Sequence, residues 1–284
     1  MIARNLNISI QDTSKRPIVT DLVYDSSIKL GPLIIFCHGY KGFKDWGAWP
    51  LLSEALAASG FVVIKFNFSH NGGTHKQPID FPDLEAFGNN NYTKELEDLD
   101  RVISWVQITY ANHPNMNPLN LTLIGHSRGG GIVTIKAAED PRVKKVISLA
   151  GVSDFKSRFP LGKELEKWKE TGVRFIENGR TKQLMPHYYQ FYKDFIANEP
   201  RLTIQTAVKK LKIPFLIIHG DADTSVSINE ALALREWSQN GKFIALQGAN
   251  HVFGSSHPWV LTELPPYFDQ IHTEITHFIK DRKS

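Results

Sequence analysis

The sequence predicts an α/β chain built on a mostly parallel, doubly wound sheet, and two patterns carry that expectation. Six short apolar runs, PLIIFCHG, FVVIKFNFS, LNLTLIGHS, VKKVISLAG, IPFLIIHG and KFIALQG, are rich in Val, Ile and Phe. Between them lie stretches whose apolar residues recur with a helical period. Runs that are apolar on both faces suit strands covered from either side, as in a parallel sheet. Their alternation with helices implies right-handed crossovers.

Taken in order, NLNISI and IVTDLVYD read as an antiparallel pair at the sheet edge, and PLIIFCHG and FVVIKFNFS as the first two core strands. Leu96, Leu99, Ile103 and Val106 then fall on one helical face. LNLTLIGHS runs into the helical stretch IVTIKAAED, and VKKVISLAG follows. The alternation breaks over 154–208. Two helical stripes are read there, Leu161, Leu165 and Trp168, then Leu184, Tyr188, Phe191, Tyr192 and Phe195, with no strand between them. The expected organisation is a core domain of residues 1–153 and 208–284 carrying a helical cap or lid, 154–207. IPFLIIHG and KFIALQG complete the core, and Ile271, Ile275 and Phe278 mark a closing helix.

At 284 residues the chain is large enough to bury a core without staples. The net charge of +4 is spread out, and basic runs such as Lys144-Lys145 and Lys209-Lys210 are short. A nucleic-acid binder concentrates its Lys and Arg on one face, so no nucleic-acid partner is expected. Cys37 is the one cysteine, which forbids an intrachain disulfide and fits a reducing, cytoplasmic setting. The N-terminal MIARNLNISIQDTSKRP has no apolar h-region, so no signal peptide is expected. Apolar runs of strand length predict no membrane partner, since a spanning helix needs roughly 20 apolar residues.

The sharpest motif is Gly125-His126-Ser127-Arg128-Gly129, set between a strand and a helix. A serine on such a sharp turn projects its hydroxyl above the sheet edge. Its neighbours must be glycine, because a Cβ would clash with the adjoining strand or helix. GHSRGGG lacks the Lys-Ser/Thr ending of a phosphate-binding loop. Ser127 is therefore the candidate nucleophile. Acyl transfer needs two N–H donors at the carbonyl oxygen. The amides of Arg128 and of Tyr40, in the Phe36-Cys37-His38-Gly39-Tyr40 loop, are the candidates, and the His38 side chain is read as structural. The base is expected on the loop after the last strand, at His251 in Ala249-Asn250-His251, with His257 as fallback and His70 as a possible cleft residue. Asp221 and Asp223 compete to orient it. Asp223 is preferred and Asp221 is read as a turn residue bonding its own backbone. No His, Cys and Asp set has metal-ligand spacing, so neither metal nor cofactor is expected.

With CHGYKG, GHSRGG, HGDADTSV and GANHVF in that order, the chain resembles the α/β-hydrolase superfamily. His219, Gly220, Asp223 and Val226 fit the family's acid-bearing pattern His-Gly-x-x-Asp-x-x-Val. The segment from FNFSHNGG to ELEDLDRVISWV looks like the esterase branch with a small helical cap. The resemblance implies an eight-stranded sheet and a cofactor-free serine hydrolase acting on a small-molecule ester. Peptidase, amidase or thioesterase activity would use the same groups, and a non-catalytic ligand binder of this fold is the alternative from another class. Ser127 departs from the cysteine nucleophile of dienelactone hydrolases and from the aspartate of haloalkane dehalogenases.

Overall fold

The computed structural model describes residues 1–281. Eight strands form one sheet: β1 (Ile2–Asp12), β2 (Lys15–Asp25), β3 (Gly31–Cys37), β4 (Val62–Phe66), β5 (Met116–His126), β6 (Val143–Leu149), β9 (Phe215–Gly220) and β10 (Gly241–Leu246). Their spatial order is β1-β2-β4-β3-β5-β6-β9-β10. β2 is antiparallel to both β1 and β4, and every other pairing in this sheet is parallel. The six apolar runs read from the sequence are the six core strands, and the expected antiparallel pair is β1 and β2.

Side-chain alternation along the strands divides the interior into two cores. Leu33, Ile35 and Cys37 of β3 face one, with the stripe Leu96, Leu99, Ile103 and Val106 of α3 (Tyr92–Thr109) and Ile132, Val133 and Ile135 of α4 (Arg128–Glu139). Ile34 and Phe36 face the other, with Leu52 and Leu56 of α1 (Trp49–Ala58) and Ile271, Ile275 and Phe278 of α9 (Phe268–Lys280). A short helix, α2 (Leu84–Gly88), precedes α3, and α8 (Ile228–Trp237) links β9 to β10. The strand order reverses between β3 and β5, whose neighbours in sequence lie on opposite sides of them. In open α/β sheets that reversal opens a crevice at the carboxyl ends of the strands, where ligands bind.

Residues 154–207 are not wholly helical. They hold α5 (Lys163–Thr171), the antiparallel hairpin β7 (Val173–Glu177) and β8 (Leu184–Tyr188), α6 (Gln190–Leu202) and the start of α7 (Ile204–Lys210). The second expected helical stripe is therefore broken: Leu184 and Tyr188 are on β8, while Phe191, Tyr192 and Phe195 are on α6. The reason is local. Arg174 and His187 interrupt the apolar alternation that marks a strand, and Pro186 sits within β8. In a two-stranded ribbon a proline needs to face no partner with its missing N–H. Leu184 and Tyr188 also happen to be spaced by four residues, which continues the α6 stripe backwards.

The first turn of α4 runs tight against the end of β3. A Cβ on Gly129 would lie 2.5 Å from the Cys37 carbonyl oxygen and 2.6 Å from that of His38. A Cβ on Gly125 would lie 2.2 Å from the Gly129 carbonyl oxygen. These neighbours are backbone and have no rotamer to change, so the strand itself would have to move. Gly129→Ala is expected to lower stability by about 1–3 kcal/mol, the range for overpacked interiors. Urea denaturation of the purified variant checks this, and a midpoint equal to that of the parent would mean the contact is softer than described.

Candidate active site

Four loops at the carboxyl ends of the sheet converge on the crevice. Ser127 follows β5 directly. It adopts φ 55° and ψ −120°, a backbone region that residues with a side chain avoid. The turn is braced on both sides: the Ser127 N–H donates to the Leu149 carbonyl at 2.9 Å, and its own carbonyl accepts from Gly130 at 2.9 Å and from Val152 at 3.2 Å. Arg128 opens α4, where the first amides have no acceptor within the helix. Tyr40 comes from the loop after β3, and its N–H has no acceptor among the described residues. Gly39 permits the close approach of that loop, since a Cβ there would stand 2.9 Å from Ser127 Cβ.

His251 and Asp223 arrive from the loops after β10 and β9. His251 Nδ1 donates to Asp223 Oδ2 at 2.7 Å. The other carboxylate oxygen accepts the amides of Ser225 at 2.8 Å and Val226 at 2.9 Å. His219 Nε2 lies 3.3 Å from Oδ2. Burial alone would raise the Asp223 pKa, but hydrogen bonds from His219, His251 and Val226 outweigh it and hold the carboxyl far below the carboxylate range. Asp223 is thus an ionised acceptor that fixes the proton of His251 on Nδ1 and leaves Nε2 toward the cavity. From below, His126 Nε2 donates to the His251 carbonyl at 2.9 Å, and the two rings lie 4.8 Å apart.

Tyr40, Ser127 and His251 border two cavities. One, of about 400 Å³, is also lined by Arg128, Tyr92, Phe155, Phe159, Trp168, Arg174, His187 and Phe191. The other, of about 260 Å³, has Trp46, Trp49, Asn178 and Arg180 in its walls. The cleft is therefore two-lobed, with the serine at the junction. The structure brings Ser127, Arg128, Tyr40, His251 and Asp223 to one place. The competing residues fall elsewhere. Asp221 is exposed and accepts the Gly248 amide across the loop, rather than bonding its own backbone as expected. His257 accepts the Gly47 amide and lies against Trp46, and neither it nor His70 lines either lobe. His38 is structural: Nδ1 donates to the Gly39 carbonyl and Nε2 accepts from Phe68.

Several features were not anticipated from the sequence. The Arg128 side chain turns into the larger lobe, 4.4 Å from the Tyr40 ring centroid and 5.2 Å from that of Tyr92. It pairs with the buried Glu95 at 3.3 Å. Burial works against its charge, yet Glu95, Tyr92 and Tyr40 keep its pKa above the ordinary arginine value. The signal was available, because Glu95 lies within the buried stripe of α3, three residues after Tyr92 and four before Leu99. Tyr40 donates its hydroxyl to His187 Nε2 at 2.9 Å, and Trp168 Nε1 donates to the His187 carbonyl at 2.7 Å. These bonds tie α5 and the hairpin to the loop after β3. Nothing in the local sequence around His187 announces that contact, which joins positions 147 residues apart.

The alpha/beta hydrolase fold family matches residues 32–178, just over half of the chain. The chain belongs to the α/β-hydrolase-fold family. An uncharacterised 31.7 kDa protein of the traX-finO intergenic region of Escherichia coli is 25% identical over 222 residues, 68% of this chain and 73% of its own length. The 2-hydroxymuconate semialdehyde hydrolase of a Pseudomonas species is 23% identical over 262 residues, 82% of each chain. Among solved structures, a putative hydrolase from Agrobacterium vitis superposes with a TM-score of 0.72 at 19% identity, over 99% of this chain and 100% of that one. This α/β hydrolase has no helix among the described residues long and apolar enough to cross a membrane.

Two stability measurements follow from this geometry. Glycine tolerates the Ser127 backbone and alanine does not, so Ser127→Gly is expected to exceed Ser127→Ala in stability by about 1 kcal/mol, strain relief less the entropy of glycine. Equal urea midpoints would show an unstrained turn. The second concerns pH. Burial pushes His38 down to about 4 and His126 and His187 down to about 3, so each is neutral in the folded chain. The unfolded chain takes up these protons near pH 6.5. Their contribution is therefore complete above that pH and lost as pH falls toward 4 and then 3. Asp98, raised by burial to about 6, acts in the opposite sense and offsets part of one histidine. The net expectation is a loss of at least about 2 kcal/mol between pH 7 and pH 5. A flat urea midpoint across that range would contradict it.

Proposed function

We propose that this α/β hydrolase is a serine hydrolase of carboxylic esters. The observation that carries the reading is the convergence of three groups: a strained, half-buried serine at the cavity wall, a histidine in the same cavity, and an ionised aspartate bonded to that histidine's far nitrogen. A buried carboxylate at Nδ1 sets the tautomer in which Nε2 accepts a proton, and it stabilises the imidazolium that results. Ser127 attacks the ester carbonyl while its proton passes to His251. The oxygen of the tetrahedral intermediate lies between the amides of Arg128 and Tyr40, donors already oriented by α4 and by the loop after β3. His251 returns the proton to the departing alkoxide, which leaves as alcohol. A water then loses its proton to His251, attacks the acyl-enzyme, and frees the acid and Ser127. The two lobes give the acyl and alcohol parts separate room on either side of the serine. An ester is favoured over an amide because an alkoxide makes less demand on the acid step than an amine leaving group does.

In this reading residues 154–207 cover the cleft and set substrate choice. What supports it is the wall of the larger lobe: Phe155, Phe159, Trp168, Arg174, Ile176, His187 and Phe191 all come from that segment. The remaining aromatics take other places, with Phe195 buried beneath the lobe and Phe175 at 57% exposure.

Ser127→Ala is expected to lower kcat/KM on 4-nitrophenyl butyrate by a thousandfold or more, leaving only binding and oxyanion stabilisation. Mass spectrometry after fluorophosphonate treatment should find the adduct on Ser127. Peptide and thioester substrates run in parallel decide among bond types. The two aspartates separate cleanly. Asp223→Asn should reduce turnover by orders of magnitude, because an amide favours the wrong histidine tautomer. Asp221→Asn removes one exposed bond and should cost less than about tenfold. The reverse ranking would assign the carboxylate to Asp221.

A further inference from the structure

The larger lobe carries an unbalanced charge that hydrolysis itself does not require. Three guanidinium groups line it, those of Arg128, Arg158 and Arg174. Arg128 is matched by Glu95, and Arg158 by Glu230. Arg174 has no ion pair and no hydrogen bond among the described residues. What it has is a neighbouring ring: its guanidinium lies 5.5 Å from the centroid of Trp168. A group with five N–H donors, half-buried and without an acceptor, is costly unless something else supplies one.

The strand geometry aims it inward. On β7, Arg174 and Ile176 line the lobe, while Phe175 between them is exposed. Arg174 is directly opposite His187 across the hairpin, and that residue reaches Tyr40 beside Ser127. The charge of Arg174 is felt there, since it lowers the pKa of both Tyr40 and His187 against or alongside the effect of burial. The two histidines that border this lobe, His187 and His251, supply no anion to offset that charge, since an imidazole is neutral or cationic. The apolar walls lower the local dielectric, which strengthens the attraction for an incoming carboxylate. Arginine also presents two parallel N–H groups that match a carboxylate edge.

We propose that the portion of the ester lodged in the larger lobe carries a carboxylate, and that Arg174 is the residue that selects it. The substrate class is then a carboxylic ester bearing a second, ionised carboxyl group some distance from the scissile bond. This rests on the hydrolase reading of the same cleft, and the test separates the two.

The experiment compares kcat/KM for charged and neutral esters of matched size. Mono-4-nitrophenyl glutarate is set against 4-nitrophenyl pentanoate, which places the anion on the acyl side. 4-Carboxyphenyl butyrate is set against 4-carbamoylphenyl butyrate, which places it on the alcohol side. The parent enzyme should prefer the charged member of one pair by at least about tenfold, the scale of a charge-assisted hydrogen bond. Arg174→Gln should remove that preference, and Arg174→Glu should invert it. A charged-to-neutral ratio that Arg174→Gln leaves unchanged in both pairs, in protein with a native circular dichroism spectrum, overturns the proposal. If no ester is turned over, the hydrolase reading fails by itself. Calorimetric titration of glutarate into the Ser127→Ala protein then decides the anion site: binding that Arg174→Gln abolishes sustains it, and no binding ends it.

Discussion

Everything at the cleft depends on how closely the first turn of α4 approaches the end of β3. Two strands and a helix meet there with no side chains between them, because Gly125 and Gly129 leave only backbone at the contact. That contact brings the start of α4, with Arg128, and the loop after β3, with Gly39 and Tyr40, together around Ser127. It also forces the serine into a conformation that a normal turn would not hold. The strain is borne by a hydrogen bond from Ser127 to the Leu149 carbonyl and by those it accepts from Gly130 and Val152, so the serine is held by β6, the loop after it and α4 at once. A scaffold of this kind suits chemistry in which the donors have to be in place before charge develops.

The residue after the serine has two tasks that are separate in kind. Its amide, at the start of α4, is the donor assigned to the oxyanion in the proposed reaction, and its side chain, held by Glu95 and by the rings of Tyr40 and Tyr92, shapes the larger lobe. Because both belong to Arg128, the floor of the lobe and the proposed donor are fixed by the same helix. The opposite wall is different. It comes from β7 and β8, which reach the rest of the chain through Tyr40–His187, Gln183–Phe81 and Tyr188–Glu85 and through Met185 packed on Phe43, Phe81 and Phe87. One side of the cleft is built on the sheet and the other is an added ribbon held to it by side-chain bonds and one small apolar cluster.

How much of this the sequence revealed depends on the range of the interaction. The core strands were legible because burial on both faces leaves an unbroken apolar run, and the serine turn was legible because its glycines are adjacent to it in the chain. His251 and Asp223 were legible from their places after the last two core strands. The hairpin was not. Its inward face is formed by Arg174, Ile176, Met185 and His187, so the residues that point at the interior include charged and polar ones, and alternation failed as a signal. Arg158, Arg174 and His187 were likewise invisible as members of one cleft. They are brought together by tertiary contacts over long separations, and no local pattern encodes those.

One further feature lies behind the loop that carries Tyr40. Asp21 of β2 and Lys65 of β4 face each other across the sheet, and Lys44 joins them from that loop, bonding Asp21 at 2.7 Å. Asp45 closes the group by contacting both lysines. Asp21, Lys44 and Lys65 are at most 2% exposed. Two positive and two negative charges balance in the interior, and loss of any one strands its opposite in a low-dielectric setting at a cost of roughly 3–5 kcal/mol. The four positions therefore form a unit of inheritance. In descendants of this chain a neutral replacement at one of them selects for replacement at another, and these sites will covary while the surrounding apolar positions drift independently.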